Sequence, residues 1–296
     1  MTHTAEPATR QPEQPEQPAY PFRFFDLEVA RATRVGPHMI RIAFTGDDLR
    51  RFANGGFDQR VKLFLPHPGQ DTPVVPVDAG ENWFGAWSAL PPDERAVMRT
   101  YTIRESRAPE EVDIDFALHG DTGPASRWAQ AARPGDRVTV LGPAVADNAG
   151  VDFRPPAGTD WVLIAADETG LPAAEGILAG LPAGLPAFAW LSVPHQDDMR
   201  HLTTKADATV RWFVRHAADP LPGAVAAAEL PAEGRAYAWI AGESGMVRAV
   251  RRNLVAVRGI DRKSIVFTGY WRRGATDDDL VAEALAGGDP HRAEDD

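Results

Sequence analysis

The 296-residue chain contains no cysteine. That excludes disulfides, thiolate nucleophiles, structural cysteine–zinc sites and cysteine-ligated iron–sulfur clusters, and it leaves the redox compartment open. Lysine is nearly as scarce, with only Lys62, Lys205 and Lys263. No apolar run approaches the roughly 18 residues a membrane span needs. The opening MTHTAEPATRQPEQPEQPAY lacks the basic start and apolar core of a signal peptide. A net charge of −11 argues against non-specific binding to nucleic acid or anionic lipid. These absences predict a soluble, cytoplasmic protein without stable membrane association. His195 and His201, six apart in a polar loop, lack ligand spacing, and no protein-bound metal is expected.

What is present is ordinary in bulk: 44% hydrophobic and 25% charged, on a chain long enough for two domains. Residues 1–19, rich in Pro, Gln and Glu, are expected to be a disordered tail, and 287–296 a flexible acidic one. From Phe22 to about Val151 the pattern is of short strands, among them HMIRIAFTG, RVKLFLPH, MRTYTIRES and EVDIDFALHG, bounded by turn residues. Six such runs with one helix predict an antiparallel barrel, interrupted by a long Pro-rich loop from Gly69 to Val97. After the Pro/Gly-rich Asp152–Gly158 the grammar changes. WVLIAAD is a continuous apolar run, followed by helices alternating with strands, which predicts a parallel α/β sheet. The expected domains are therefore 20–152 and 158–286.

Two motifs carry chemistry. In GDTGPASRWAQAARPGD, residues 120–136, Pro124 suits the first helical position, where its missing N–H would be unpaired anyway. Ala125, Trp128, Ala129 and Ala132 recur at helical spacing, and Pro134-Gly135 is expected to end the helix. The N–H groups of Gly123, Ala125 and Ser126 would converge with the helix dipole behind them, forming an anion site that needs no lysine. The turn is neither a Walker loop nor G-x-G-x-x-G, and an ordinary helix start capped by Thr122 or water is the alternative. In MRTYTIRE, strand alternation puts Arg99, Tyr101 and Ile103 on one face and Thr100, Thr102 and Arg104 on the other. An arginine fork can clamp a diphosphate, a tyrosine can stack on a flat heterocycle and a threonine can bond a ring nitrogen; an ordinary strand carries the same residues.

Arg-x-Tyr-Thr at 99–102, followed by His-Gly-x-x-Gly-Pro-Ala-x-x-Trp-Ala at 119–129, resembles the flavin-binding half of the ferredoxin-reductase superfamily. It resembles in particular the siderophore-interacting proteins, which are FAD-dependent ferric-siderophore reductases. Further landmarks follow in order: VKLFLP (61–66), LGP (141–143), ADETGLPAAEGIL (166–178), WIAGESGMVRAVRRNL (239–254) and GYWRRG (269–274). The likeness covers roughly residues 20–280, with Gly170 standing where alanine is frequent.

The resemblance implies an FAD-binding barrel followed by an NAD(P)H-binding sheet, and a role for each matched residue. Arg99 would meet the FAD pyrophosphate, Tyr101 would pack on the isoalloxazine, and Thr102 would bond near its reactive nitrogen, with Thr100 and Asp115 beside them. His119, Gly120, Gly123, Pro124, Ala125 and Ser126 would form the phosphate turn, buttressed by Trp128. Gly242 and Glu243 would line the nicotinamide site, with Asp167 and Thr169 in the nucleotide-facing turn after the first strand, and Trp271 would line the flavin or the substrate mouth, or else pack the last helix onto the barrel. Thr169 is also a candidate cap for the next helix, and Asp167 and Glu168 are read equally well as ribose ligands or as a solvated turn. Lys62, Arg137 and Arg272 would form a basic pocket for an anionic ferric siderophore; surface ion pairing is their other reading. The implied reaction is reduction of siderophore iron by NADPH or NADH through FAD, in the service of iron uptake. The alternatives are a flavin reductase or electron-transfer component for an oxygenase, and a non-catalytic siderophore binder. Donor preference stays open, because Arg200 and Lys205 favour a 2′-phosphate while Asp197 and Asp198 oppose it.

Overall fold

The computed structural model describes residues 20–118, 123–215 and 220–286. The tails at 1–19 and 287–296, and His119 and Gly120 of the phosphate turn, lie outside the described residues.

Among the described residues, six antiparallel strands close into a barrel. Their order is β1 (Phe22–Gly36), β2 (Met39–Thr45), β5 (Glu111–Ala117), β4 (Val97–Arg107), β3 (Arg60–Leu65) and β6 (Arg137–Pro143), and β6 pairs back onto β1. Period-two alternation sends Val61 and Leu63 of β3 and Tyr101 and Ile103 of β4 inward, into a core with Phe44 and Phe116. The same alternation turns Arg60, Lys62, Thr100 and Thr102 outward. Register sets Lys62 opposite Thr100 and Arg60 opposite Thr102, so the outer face carries a compact polar patch.

The segment expected as a long loop is not structureless. It contains a 3₁₀ turn at Val77–Asn82 and the helix α1 (Trp83–Ser88). Trp87 is buried and donates its indole N–H to the Ala96 carbonyl at 3.1 Å. Phe64, Met98 and Leu141 join it in a satellite core outside the barrel. Aromatic rings, not hydrophobic periodicity, order this excursion. The helix α2 (Pro124–Ala131) starts with proline as expected but stops before Pro134-Gly135, because Ala132 is already extended at ψ 133°.

The second half is a parallel sheet in the order β11 (Ile265–Trp271), β10 (Ala236–Glu243), β7 (Trp161–Ala166), β8 (Pro186–Val193) and β9 (Asp207–Val214). All six residues of β7 are buried, as its unbroken apolar run requires. Helix α3 (Leu171–Gly180) leads to β8, whereas β8 reaches β9 through a 3₁₀ turn and no α-helix. Helix α4 (Leu221–Ala227) was not foreseen; α5 (Ser244–Ala256) and α6 (Asp277–Leu285) complete the layers.

Barrel and sheet are held together tightly. A Cβ on Gly176 of α3 would lie 2.2 Å from the Phe57 carbonyl oxygen, so glycine lets the helix lie directly on a barrel loop. Asp58 accepts from the backbone N–H groups of Asp152 and Phe153 and, at 2.9 Å, from the Trp239 indole of β10. A buried ionic lattice spans the same seam. Asp115 of β5 receives Arg41 in bidentate fashion at 2.7 and 2.9 Å and Arg200 at 3.1 Å, while Glu175 of α3 pairs with both Arg200 and Arg104. Arg200, a sequence candidate for a dinucleotide 2′-phosphate, is therefore committed to two carboxylates of the seam.

Candidate functional site

A cavity of about 690 Å³ lies between the outer face of the barrel and the carboxyl ends of the parallel strands. Its volume is in the range of small-molecule and cofactor sites. The barrel contributes Lys62 and the run Met98 to Thr102; the sheet contributes Glu168, Thr169, Tyr270 and Trp271. Arg99 is buried at 7% exposure and donates to the Met98 carbonyl at 2.8 Å. Tyr101 packs on Phe116 with ring centroids 4.4 Å apart, so its ring belongs to the barrel core and to the cavity wall at once.

The sheet side is organised by Asp167, at the end of β7. The strand order places β8 on one side of β7 and β10 on the other, so connections leave in opposite directions and a crevice opens at their carboxyl ends. Asp167 is wholly buried there. One oxygen accepts from the Thr169 N–H and hydroxyl, and the other from the Glu243 N–H and the Trp271 indole, both at 2.8 Å. Burial, with the neighbouring Glu168 charge adding to it, pushes the Asp167 carboxyl above the usual range, and these hydrogen bonds oppose the shift. Gly242 has φ +141°, and a Cβ on it would sit 2.6 Å from the Asp167 carboxylate. Its glycine is required by that approach. Thr169 does not cap α3, where Gly170 holds the N-cap position, because its hydroxyl is taken by Asp167. Glu243 caps α5 through Met246 N–H at 2.9 Å. Glu168 is no solvated turn: it is buried and paired in bidentate fashion with Arg215, which stands 6.0 Å from the Trp271 ring centre.

Beyond β5, whose last residue Ala117 lines the cavity, Gly123 precedes α2, with Pro124 at its first position. Ala125 and Ser126 are buried in its first turn, and Trp128 stacks on Phe44 at 6.3 Å.

Residues 28–147 match the siderophore-interacting FAD-binding domain and residues 159–274 the siderophore-interacting protein family. The NADPH-dependent ferric-chelate reductase of Escherichia coli is 30% identical over 84% of this chain and 93% of its own length. The ferric vibriobactin reductase ViuB of Vibrio cholerae is 29% identical over 85% of this chain and 90% of its own. The solved siderophore utilization protein from T. fusca superposes with a TM-score of 0.71 at 33% identity, covering 87% of this chain and 95% of that one. The chain belongs to the siderophore-interacting protein family. It has the ferredoxin-reductase-like fold and is an oxidoreductase that works with FAD and a nicotinamide dinucleotide.

Of the three basic residues expected to form one pocket in this siderophore-interacting protein, Lys62 lines the cavity, while Arg137 and Arg272 are not among its lining residues. Lys62 donates to the Thr100 hydroxyl at 2.8 Å. Burial, with the charge of Arg60 adding to it, lowers its amine to about 8. Among the described residues no carboxylate lies within ion-pair reach of it. Arg137 lies four residues along β6 from Leu141, the register partner of Lys62, which is about 13 Å of strand, and it borders a separate hollow beside Asp26 and Thr139. Arg272 pairs with Glu283 of α6 at 2.8 Å.

Sequence reasoning passed over Tyr20, Phe22, Trp83 and Phe84, which line one end of the cavity, and Leu280 and Val281 of α6, which line it from the sheet side. Only the closeness of two tryptophans in the insert hinted at such a wall.

Proposed function

We propose that this protein reduces the iron(III) of a ferric siderophore with NADPH or NADH and so releases the metal. The observation that carries the reading is the single cavity in which the Arg99–Thr102 run of β4 faces the Asp167-organised carboxyl edge of the sheet, with Lys62 on its wall. The names of the similar reductases from E. coli and V. cholerae support it. On this reading residues 20–152 hold the flavin and 158–286 the dinucleotide, and the donor's supply places the protein in the cytoplasm.

The donor set suits FAD. Arg99 offers a buried guanidinium to its diphosphate, with Gly123, Pro124, Ala125 and Ser126 at the start of α2. Tyr101 offers a ring, and Thr100 and Thr102 offer hydroxyls, to the heterocycle. When bound, FAD converts the two-electron nicotinamide donor into single electrons for iron(III). One NAD(P)H thus reduces two ferric ions and releases one proton. The reaction asks for no nucleophile or general base from the chain. Asp167 fixes Trp271, Thr169 and the β10–α5 turn, and thereby the shape of the dinucleotide crevice. Lys62 attracts an anionic chelate. Oxygen ligands of a siderophore hold iron(III) far better than iron(II), so reduction is sufficient for release.

The test is an anaerobic absorbance experiment. Addition of NADPH or NADH should bleach a flavin spectrum, and a ferric siderophore should restore it while a ferrous trap develops colour. A protein that neither retains nor takes up FAD would sink the proposal. A flavin bleached by the dinucleotide but never re-oxidised by a ferric chelate would leave only the siderophore binder or a component serving another acceptor.

A further inference from the structure

Among the described residues, the charged side chains near the carboxyl edge of β8 and β9 are engaged with partners, with one exception. Arg215 follows β9, donates its backbone N–H to the Val193 carbonyl at 2.8 Å, and gives both arms of its guanidinium to Glu168. Asp198, in the 3₁₀ turn Gln196–Asp198 after β8, faces the barrel. Its carboxylate accepts the His38 N–H at 2.9 Å and meets His38 Nδ1 at 2.8 Å. Arg200 is held by Asp115 and Glu175 across the seam. Lys205 stands at the opposite edge of the sheet, with the eight residues of β9, roughly 25 Å of strand, in between.

The exception is Asp197. Its side chain is 65% exposed, and the group beside it is the His195 ring, 3.4 Å away. His195 Nδ1 accepts the Asp197 N–H at 3.2 Å, so that nitrogen bears no proton and the ring brings no charge. Topology gives this turn its importance. In an open parallel sheet a dinucleotide crosses the crevice beside the first strand, here β7, and its adenosine ribose is read near the end of the next. An acid there takes the 2′-hydroxyl, or an arginine takes a 2′-phosphate. The next strand is β8, and its turn carries Asp197.

We propose that Asp197 is the specificity-determining residue for the electron donor and that the donor is NADH. The inference rests on the dinucleotide reading of residues 158–286 and adds the choice between the two nucleotides. A 2′-phosphate brings about two negative charges at neutral pH to a turn whose uncommitted charge is already negative. Among the described residues of this edge, the arginines are committed to carboxylates. A ribose hydroxyl instead offers Asp197 a donor. Discrimination is then by repulsion of the wrong nucleotide as well as by attraction of the right one. In this the protein departs from its NADPH-dependent relative in E. coli.

The test titrates the full-length, FAD-loaded protein calorimetrically with NAD⁺ and NADP⁺. 5′-AMP and adenosine 2′,5′-bisphosphate isolate the extra phosphate. NAD⁺ and 5′-AMP should bind about 10-fold more tightly than their 2′-phosphorylated counterparts. The gap should narrow in high salt, because Asp197 is exposed. Asp197→Asn should remove most of the preference and weaken its salt dependence, while Asp197→Glu should keep both. Tighter binding of NADP⁺ by the wild type, or a ratio that Asp197→Asn leaves unmoved, would overturn the proposal, as would binding of neither nucleotide. Flavin bleaching keeps the claims apart. Bleaching by NADH with no later re-oxidation by a ferric chelate would sink the ferric-reductase reading alone. Faster bleaching by NADPH, followed by iron(II), would sink the donor assignment alone.

Discussion

Lys62 shows how much one side chain can report. Its amine, lowered to about 8, is an ammonium at neutral pH and loses its charge as the pH passes that value. KM for an anionic ferric chelate should therefore climb above about pH 8. Lys62→Met should raise KM about 10-fold at pH 7 and flatten that alkaline limb, a change steady-state kinetics across pH would show directly. Stability runs the opposite way. The folded value lies below the ordinary 10.5, so the unfolded chain binds the extra proton between the two, and this group's contribution to stability rises with pH across that window. Arg99→Ala should cost retained FAD, read as a lower flavin-to-protein absorbance ratio on purified protein with an unchanged far-UV spectrum. The facing of Tyr101 and Thr102 was legible from alternation, which sends one toward the barrel core and the other outward, whereas the roles given to Arg99, Tyr101 and Thr102 came from the family resemblance. The partners of Asp167 were not legible. Its hydrogen bonds join residues up to 104 positions apart, and nothing local announces them.

At the scale of elements, legibility followed periodicity. β4 and β7 declare themselves, one by alternation and one by an unbroken apolar run. The insert does not, since it folds around Trp87, Phe84 and Trp83 in a segment crowded with prolines and acids. α4 was missed because its seven residues are too short for a helical pattern to stand out. The strand-to-helix turn from β10 to α5 depends on one backbone conformation. Gly242→Ala would need φ near +141° and would place a methyl against the Asp167 carboxylate. A loss of about 2–4 kcal/mol in denaturant unfolding is expected, combining strain with displacement of a buried carboxylate from its donors. Slower flavin bleaching by the dinucleotide should accompany it, because the crevice moves with that turn.

Over the whole molecule, the seam between barrel and sheet combines apolar packing of Phe57 and Phe153 with a network of charges. Glu175 is buried and serves Arg104 and Arg200 together. Glu175→Ala takes the carboxylate from Arg104 and leaves Arg200 with Asp115 alone, and should destabilise by about 3 kcal/mol, measurable in urea, whereas added salt should change wild-type stability little because the carboxylates Asp115 and Glu175 are buried. The fold class was readable from the grammar of strands and helices; the seam was not, because Arg41, Arg104, Asp115, Glu175 and Arg200 each look like ordinary surface charges in a sequence. One consequence concerns recombination. The barrel and the sheet are not interchangeable modules, since each presents charges and a backbone approach that the other alone completes. A chimaera that borrows the dinucleotide-binding half of a relative, to change its donor, loses Glu175, Arg200 and Trp239 and leaves Arg104, Asp115 and Asp58 of the barrel without their counterparts unless the borrowed half supplies them.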